Sequence, residues 1–185
     1  LLAERVRLAL GIARRDPDGG RAIVVVNDRV DVAAACGADG GHVGADDLSV
    51  RLTRRVVGPD VLVGRTAHDL AEARGAVLDG ADYLGIGPCF PSLTKTFAEQ
   101  APPEFLRTVC GEISLPTFAI GGITVERLAP LAALGVKRVG VASAVTRAAD
   151  PPRAAGDLID ALAKPTARPA GRPDRKSTRL NSSHA

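Results

Sequence analysis

The feature that most constrains the fold of this sequence is a short segment that occurs three times. Residues 37–43 read GADGGHV, residues 80–86 read GADYLGI, and residues 135–141 read GVKRVGV. Each copy follows a segment with helical spacing of apolar residues and continues into a short apolar stretch. Because a glycine in the left-handed conformation commonly ends a helix, each copy predicts a helix end, a tight turn and a buried strand. The sequence therefore predicts one kind of αβ junction, used repeatedly.

Three further apolar segments extend this alternation to six predicted strands. They lie at residues 22–26, 61–63 and 117–120, and the first is a β-branched run typical of a strand buried on both faces. Apolar periodicity and Gly- or Pro-rich breaks predict a helix at residues 1–14 and a helix after each strand. Those six helices are expected at residues 30–36, 49–57, 68–79, 103–111, 124–134 and 151–163.

Strict βα alternation predicts an α/β fold with a parallel sheet and right-handed crossovers. An open doubly wound sheet and a (β/α)₈ TIM barrel both satisfy this pattern. No GxGxxG follows the first predicted strand, so a dinucleotide-binding fold is disfavoured and the barrel is favoured. The sequence carries about six βα units of eight and starts in mid-helix without a methionine, so two units are expected upstream. Residues 1–163 are interpreted as this partial barrel domain.

The basic charge of the sequence lies in its C-terminal tail. Residues 164–185 hold six Lys and Arg residues and one Asp, a net charge of +5, which leaves −2 for the remainder of a chain whose total is +3. The charge distribution thus gives little support for nucleic-acid binding. The tail has no apolar periodicity and is predicted to be disordered, and its end, RKSTRLNSSHA, is interpreted as non-native sequence.

Neither a membrane span nor a disulfide framework is indicated. No apolar run reaches the length of about 18 residues that a transmembrane helix needs. The three cysteines show no CxxC spacing, which fits a reducing compartment, so a cytoplasmic protein is expected. The sequence leaves open whether the protein forms a homo-oligomer.

The carboxyl ends of barrel strands are where catalytic side chains are expected. Asn27 and Asp28 follow the first predicted strand, and Asp46 and Asp47 follow the second. Two carboxylates that face one pocket suit Mg²⁺, which prefers a few carboxylates together with substrate phosphate and water. Separate, solvated surface acids are the alternative.

Two glycine-containing turns predict a phosphate site. Gly121-Gly122 follows the fifth strand and Ala142-Ser143 follows the sixth, which is where barrels of this kind bind phosphate. Two ordinary turns explain the pattern equally well. Lys95, in the longest loop, could neutralise a phosphate, and the alternative is that it is a solvated surface lysine. His42 and His68 are each either a candidate base or a structural histidine.

Taken in order, these motifs resemble the thiamine phosphate synthase family. The matching segments, spread over about residues 1–163, are VNDRVDVAAACGADGGHVGADDL, GRTAHDLAEA, GADYLGIGPCFPSLTK, AIGGIT and VASAV. The resemblance implies a (β/α)₈ barrel that joins a small-molecule aminopyrimidine methyl diphosphate to hydroxyethylthiazole phosphate and releases pyrophosphate. It implies a dissociative mechanism in which Mg²⁺ and a lysine stabilise the departing pyrophosphate.

The resemblance also implies a role for each matched residue. Asn27 and Thr66 would contact the pyrimidine, with Thr66 standing where the family commonly has Ser. Asp28 and Asp47 would hold Mg²⁺. The remaining implied contacts are Lys95 on the diphosphate, Ser92 and Thr94 at the thiazole phosphate region, and Gly122, Ala142 and Ser143 around that phosphate. Lys95 and Thr66 would be the catalytic residues.

Two departures from the family pattern keep alternatives open. The Gln-x-Arg-x-Lys motif with which the family clamps the diphosphate is absent from the sequence and is expected upstream, and Ala45-Asp46 replaces the usual Gln-Glu. One alternative is a thiazole tautomerase on the same barrel, although such an enzyme would place a His base where this chain has PSLTK. The other alternative is an inactive, truncated remnant that acts at most as a binding module.

Overall fold

Strands and helices alternate along the chain in the computed structural model, which describes residues 1–13, 20–91 and 99–163. The strands are β1 Val25–Asn27, β2 Gly40–Val43, β3 Leu62–Ala67, β4 Tyr83–Ile86, β5 Thr117–Ile120 and β6 Val139–Gly140. The helices are α1 Leu2–Ala13, α2 Val30–Cys36, α3 Val50–Val57, α4 Leu70–Leu78, α5 Pro103–Glu112, α6 Leu128–Ala133, α7 Ser143–Thr146 and α8 Pro151–Ala163, and a 3₁₀ turn, Val125–Arg127, precedes α6.

The six strands form one parallel sheet in the order in which they occur along the chain. The sheet curls, because residues from all six strands, from Val25 on β1 to Gly140 on β6, line one cavity on its concave side. The predicted α/β class and parallel alternation are therefore confirmed. Within the described residues β1 and β6 each pair on one side only, so the structure has the form of a half-barrel.

The repeated αβ junction is confirmed in all three copies. Gly37, Gly80 and Gly135 have φ values of 65°, 86° and 91°, in the left-handed region that favours glycine. The backbone hydrogen bonds are the same each time, since the residue after each glycine donates to the carbonyl five positions earlier. These bonds are Ala38 to Ala33, Ala81 to Ala76 and Val136 to Leu131, at 3.0, 3.0 and 3.2 Å.

In two copies the aspartate of the repeat ties the junction to the neighbouring strand. The Asp39 carboxylate accepts a hydrogen bond from the backbone N–H of Val24 at 2.9 Å, and the Asp82 carboxylate accepts one from Val63 at 2.7 Å. The third copy has Lys137 at this position and carries no such carboxylate. These contacts lie at the amino ends of the strands, opposite the edge at which catalytic side chains were predicted.

The first strand differs from its prediction in position and in burial. It begins at Val25 rather than residue 22, and the prediction that it is buried on both faces is wrong. Val26 is 5% exposed and packs under the helices, whereas Val25 is 37% and Ile23 62% exposed. The reason is the curl of the sheet, since Val25 and Ile23 face the cavity rather than a second packed layer.

Two other elements depart from their predicted bounds by more than two residues. The strand predicted at residues 61–63 runs from Leu62 to Ala67, so it carries Arg65 and Thr66 within the sheet. The helix predicted at residues 124–134 is divided into the 3₁₀ turn and the short helix α6. Helix α7 was not predicted.

The apolar core fills the space between the convex face of the sheet and the helices. Its largest fully buried side chains include Leu84 and Ile86 of β4 and Val63 of β3. A second, smaller cluster joins α1 to β1 and α2. None of the helices in the described ranges is long and apolar enough to cross a membrane. The tail, residues 164–185, lies outside the described residues.

Candidate active site

A cavity of about 1050 Å³ occupies the concave side of the sheet. Side chains from the carboxyl ends of the first three strands and the loops after them line it, among them Asn27, Asp28, Asp46, Asp47, Thr66 and His68. Four of the residues predicted for the site, Asn27, Asp28, Asp47 and Thr66, therefore border the same space. They come from three separate strand ends that only the parallel sheet brings together.

Asp28 has an unusual backbone conformation. Its φ of 62° is the one positive value at a residue other than glycine in the described part of the chain. Its N–H donates to the carbonyl of His42 at 2.9 Å, and its Oδ1 accepts from Asn27 Nδ2 at 2.6 Å. Asp and Asn tolerate the left-handed region better than most residues, and such conformations are concentrated at functional sites. The turn directs the end of β1 to the cavity rim at the cost of local strain.

Asp47 lies in a loop that Arg65 fastens to the sheet. Asp47 Oδ2 accepts a hydrogen bond from the backbone N–H of Gly44 at 2.7 Å. The Arg65 guanidinium donates to the carbonyl of Gly44 at 2.5 Å and to those of Ala45 and Leu48 at 3.3 and 3.5 Å. One side chain of β3 thus holds both ends of the loop that carries Asp47. Arg65 had no role among the residues predicted for the site.

The arrangement of carboxylates fits a metal ion shared with substrate. No group of three or more His, Cys, Asp or Glu residues capable of holding a metal ion occurs among the described residues. Mg²⁺ is commonly held by only one or two carboxylates, with substrate phosphate and water completing its coordination. Asp28 and Asp47, on one cavity, match this donor set.

Thr66 belongs to a hydrogen-bonded group inside the cavity. His42 Nε2 lies 2.8 Å from Thr66 Oγ1, and His42 Nδ1 lies 3.0 Å from the Tyr83 hydroxyl. The His42 and Tyr83 rings stack with centroids 5.4 Å apart, and the Phe118 ring meets Tyr83 edge-on at 5.7 Å. Burial raises the pKa of Tyr83 to about 12, so its hydroxyl is protonated at neutral pH.

A strand glycine makes room for the Tyr83 ring. A Cβ added at Gly64 would lie 2.0 Å from Tyr83 Cζ, whereas one added at Gly85 would lie 3.4 Å from His42 Cε1, an ordinary van der Waals contact. No residue larger than glycine therefore fits at position 64 while the Tyr83 ring stays where it is. A glycine inside a strand often marks the close approach of another group, but it does not identify which side chain approaches.

His68 has a defined tautomer when it is neutral. Its Nδ1 lies 2.7 Å from the carbonyl oxygen of Gly87, which can only accept, so Nδ1 carries the proton. Its backbone N–H donates to Glu72 at 2.7 Å. This leaves Nε2 as the basic nitrogen of a residue that borders the cavity.

Three of the residues predicted for the thiazole phosphate, Gly122, Ala142 and Ser143, lie after β5 and β6. Gly122 has a φ of 62°, and its carbonyl accepts from Arg127 at 2.5 Å. The Arg127 guanidinium also lies 4.9 Å from the centroid of the Phe90 ring. Ala142 and Ser143 stand at the start of α7. Within the described residues, Gly121 borders the cavity whereas these three predicted residues are not part of its lining.

The residues predicted to contact the diphosphate and the thiazole phosphate region also include three on the loop after β4. Ser92, Thr94 and Lys95 lie outside the described residues, so their assigned roles stay predictions. The flanking chain is fixed to β5, since the N–H groups of Cys89 and Phe90 donate to the carbonyls of Ile120 and Gly121 at 2.8 and 3.1 Å. The loop therefore starts beside the cavity.

The chain is similar in sequence to known proteins. A thiamine-phosphate synthase of Anaeromyxobacter dehalogenans is 47% identical over 142 residues, which cover 75% of this chain and 63% of that protein. The enzyme of the same name from Gloeobacter violaceus is 43% identical over 141 residues, 76% of this chain and 41% of its own. This chain therefore spans less than two thirds of the length of these relatives.

Solved structures extend the likeness to three dimensions. A thiamine phosphate pyrophosphorylase from Pyrococcus furiosus superposes with a TM-score of 0.77 at 32% identity, over 87% of this chain and 75% of that one. A 3-hexulose-6-phosphate synthase, at 18% identity and a TM-score of 0.62, shares the fold alone. The family model described as thiamine monophosphate synthase matches residues 4–145. The chain thus belongs to the thiamine monophosphate synthase family.

Proposed function

We propose that the protein condenses an aminopyrimidine methyl diphosphate with hydroxyethylthiazole phosphate to give thiamine phosphate and pyrophosphate. The observation that carries this proposal is the meeting of Asn27, Asp28, Asp47 and Thr66 around one cavity at the carboxyl ends of the strands. The two acids suit a metal-bound diphosphate, while the amide and the hydroxyl suit a polar heteroaromatic ring. The relatives named above are synthases for this product.

The proposed chemistry asks the protein for position and charge rather than for a nucleophile. The C–O bond to the diphosphate breaks, the electron-rich pyrimidine stabilises the cationic methylene, and the thiazole nitrogen forms the new C–N bond. Mg²⁺, when held by Asp28 and Asp47, would offset the charge that develops on pyrophosphate. Asn27 and Thr66 would orient the pyrimidine so that the methylene faces the thiazole.

The remaining roles follow from the same proposal. Lys95 would add positive charge beside the leaving pyrophosphate, and Ser92 and Thr94 would contact the thiazole phosphate. The Gly122, Ala142 and Ser143 backbone would complete that phosphate site with N–H donors. Arg127, which lies against the Phe90 ring, donates to the Gly122 carbonyl and would hold this turn in place.

For the whole protein we propose a closed (β/α)₈ barrel in which the six described strands are neighbours. Two observations support it. Strands β1 and β6 each have an unpaired edge in the described residues, and apolar side chains such as Ile23 are exposed on the concave side. Parallel sheets normally have both faces covered, so further strands and side chains would fill this side.

The test is a product assay with both substrates and Mg²⁺, read as thiamine phosphate and as pyrophosphate in equal amounts. Equal, Mg²⁺-dependent release of both products supports the proposal. Its failure with a folded protein would remove the synthase activity from this chain.

Thermal unfolding with each substrate separates the proposed synthase from a tautomerase on the same fold. A synthase should be stabilised by the pyrimidine diphosphate with Mg²⁺ and by the thiazole phosphate, because both bind the native state. Stabilisation by a thiazole phosphate alone, together with its isomerisation, would favour the tautomerase.

A further inference from the structure

The group formed by Tyr83, His42 and Thr66 has a feature that the proposed chemistry leaves unused. One imidazole connects hydroxyl groups on two other strands, at 3.0 Å through Nδ1 and 2.8 Å through Nε2. A neutral imidazole has one N–H donor and one acceptor nitrogen. The two hydrogen bonds therefore point the same way along the three groups, either from Tyr83 toward Thr66 or from Thr66 toward Tyr83.

The chemistry of the two hydroxyl groups favours one direction. A phenol is a stronger acid than an alkyl alcohol, so it is the better donor and the poorer acceptor. The favourable arrangement has the Tyr83 O–H donating to His42 Nδ1 and the His42 Nε2–H donating to Thr66 Oγ1. Each bond then polarises the next, which strengthens both. The protonated state of Tyr83 at neutral pH keeps this donor present.

This direction has a consequence for Thr66. In this direction Thr66 Oγ1, which lies 2.8 Å from His42 Nε2, accepts a hydrogen bond from His42. The one proton of the Thr66 hydroxyl is then available for an acceptor other than His42, and Thr66 lines the cavity. Thr66 is thereby set up to donate to the substrate.

We propose that His42 is a positioning residue whose tautomer, set by Tyr83, fixes Thr66 as a donor to an acceptor nitrogen of the bound heteroaromatic ring. The inference rests on the proposed function, in which Thr66 contacts the pyrimidine. It assigns the Thr66 proton to an unprotonated ring nitrogen, since the N–H bonds of the exocyclic amino group are themselves donors.

Packing alone holds the two rings in place. Gly64 leaves the space for the Tyr83 ring, which stacks on His42 and meets the Phe118 ring edge-on. The rings are therefore restrained without help from the hydroxyl of Tyr83. Tyr83→Phe should keep the rings in place and remove only the donor to His42.

The first experiment reads the tautomer directly, by ¹⁵N NMR of the His42 ring in the full chain without substrate. We expect an unprotonated Nδ1 and a protonated Nε2, and we expect Tyr83→Phe to shift the populations toward the other tautomer. A His42 that is protonated on Nδ1 in the unsubstituted protein would overturn the proposal. This readout does not depend on turnover, so it separates failure of the inference from failure of the proposed function.

The second experiment is a double-mutant cycle on substrate affinity. Tyr83→Phe should raise KM for the pyrimidine diphosphate about fivefold, as expected for one hydrogen bond, and should leave KM for the thiazole phosphate unchanged. Thr66→Val keeps the shape of the side chain and removes the hydroxyl, and in that background Tyr83→Phe should have no further effect. Equal effects of Tyr83→Phe in both backgrounds would show that Tyr83 does not act through Thr66.

Discussion

The left-handed backbone of Asp28 gives the candidate metal site a distinctive mutational signature. At a φ of 62° most residues with a side chain are strained, and Asp and Asn are the best tolerated after glycine. Charge and conformation at this position can therefore be changed separately. Asparagine removes the charge and keeps the conformation, whereas alanine removes the charge and also tolerates the left-handed conformation less well.

We predict that Asp28→Asn abolishes Mg²⁺-dependent turnover and changes the free energy of unfolding by less than about 0.5 kcal/mol. Asp28→Ala should abolish turnover equally and lower the free energy of unfolding by about 1 kcal/mol more. Product assays and urea denaturation measure the two effects. Normal turnover of Asp28→Asn would remove this carboxylate from the site.

Arg65 provides a second residue-scale prediction, since it holds the loop that carries Asp47. Arg65→Gln should raise the Mg²⁺ concentration for half-maximal turnover about tenfold, because loss of charged hydrogen bonds leaves Asp47 less well placed. Hydrogen exchange at the Gly44 and Asp47 amides should become faster.

Arg74→Gln is the matched control for Arg65→Gln. Arg74 pairs with Glu112 on the exposed helical surface, where an ion pair contributes little. Arg74→Gln should change neither the Mg²⁺ concentration for half-maximal turnover nor the amide hydrogen exchange of the Asp47 loop. Unchanged exchange in Arg65→Gln would show that the loop holds its conformation without the guanidinium.

At the scale of elements, the aspartates of the repeat join a helix end to the start of the preceding strand. Asp82 accepts from the Val63 N–H and from Arg54 at 2.6 Å, so one carboxylate links three segments. We predict that Asp82→Ala lowers the free energy of unfolding by about 1–3 kcal/mol, since a backbone donor loses its charged partner.

Lys137→Ala tests the corresponding position of the third copy, where no carboxylate ties the strands. It should change stability by less than about 0.5 kcal/mol in the same urea titration. If both substitutions had the same small effect, the aspartate contacts would not contribute to holding the junctions together.

These elements also show what sequence could and could not predict. The helix ends at Gly37, Gly80 and Gly135 were predictable because the signal is local and a single residue type serves the required φ. The exposure of Val25 was not, because it depends on the curl of the whole sheet.

The residues of the site likewise divide into those that the sequence predicted and those that it did not. Asn27, Asp28, Asp47 and Thr66 were predicted and share the cavity, since the rule of strand ends applies to any parallel sheet. The Arg65 clamp and the His42 bridge join residues about 20 to 40 positions apart. No periodicity or turn signal encodes such contacts, so they became visible only in three dimensions.

At the largest scale, β1 and β6 each have one edge with no partner strand among the described residues, and these edges predict a solution property of the 185-residue chain. Unpaired parallel edges beside exposed apolar residues favour pairing between chains. We expect the 185-residue chain to associate as its concentration rises, and Val25→Lys, which adds a charge to an edge strand, to reduce that association. Small-angle scattering and sedimentation over a concentration series measure it. A monomer at every concentration would show that these edges are covered.

The steric relation between Gly64 and Tyr83 extends beyond this one chain. Since a Cβ at position 64 would occupy the place of the phenol ring, a side chain can be gained there only if the ring is lost or moved. A larger residue at position 64 would clash with the Tyr83 ring, and a smaller residue at position 83 would leave the space of that ring empty. The two positions should therefore evolve as a pair. Among relatives we expect covariation, with glycine accompanying the aromatic residue and a larger residue accompanying a smaller partner. In protein engineering, positions 64 and 83 have to be changed together.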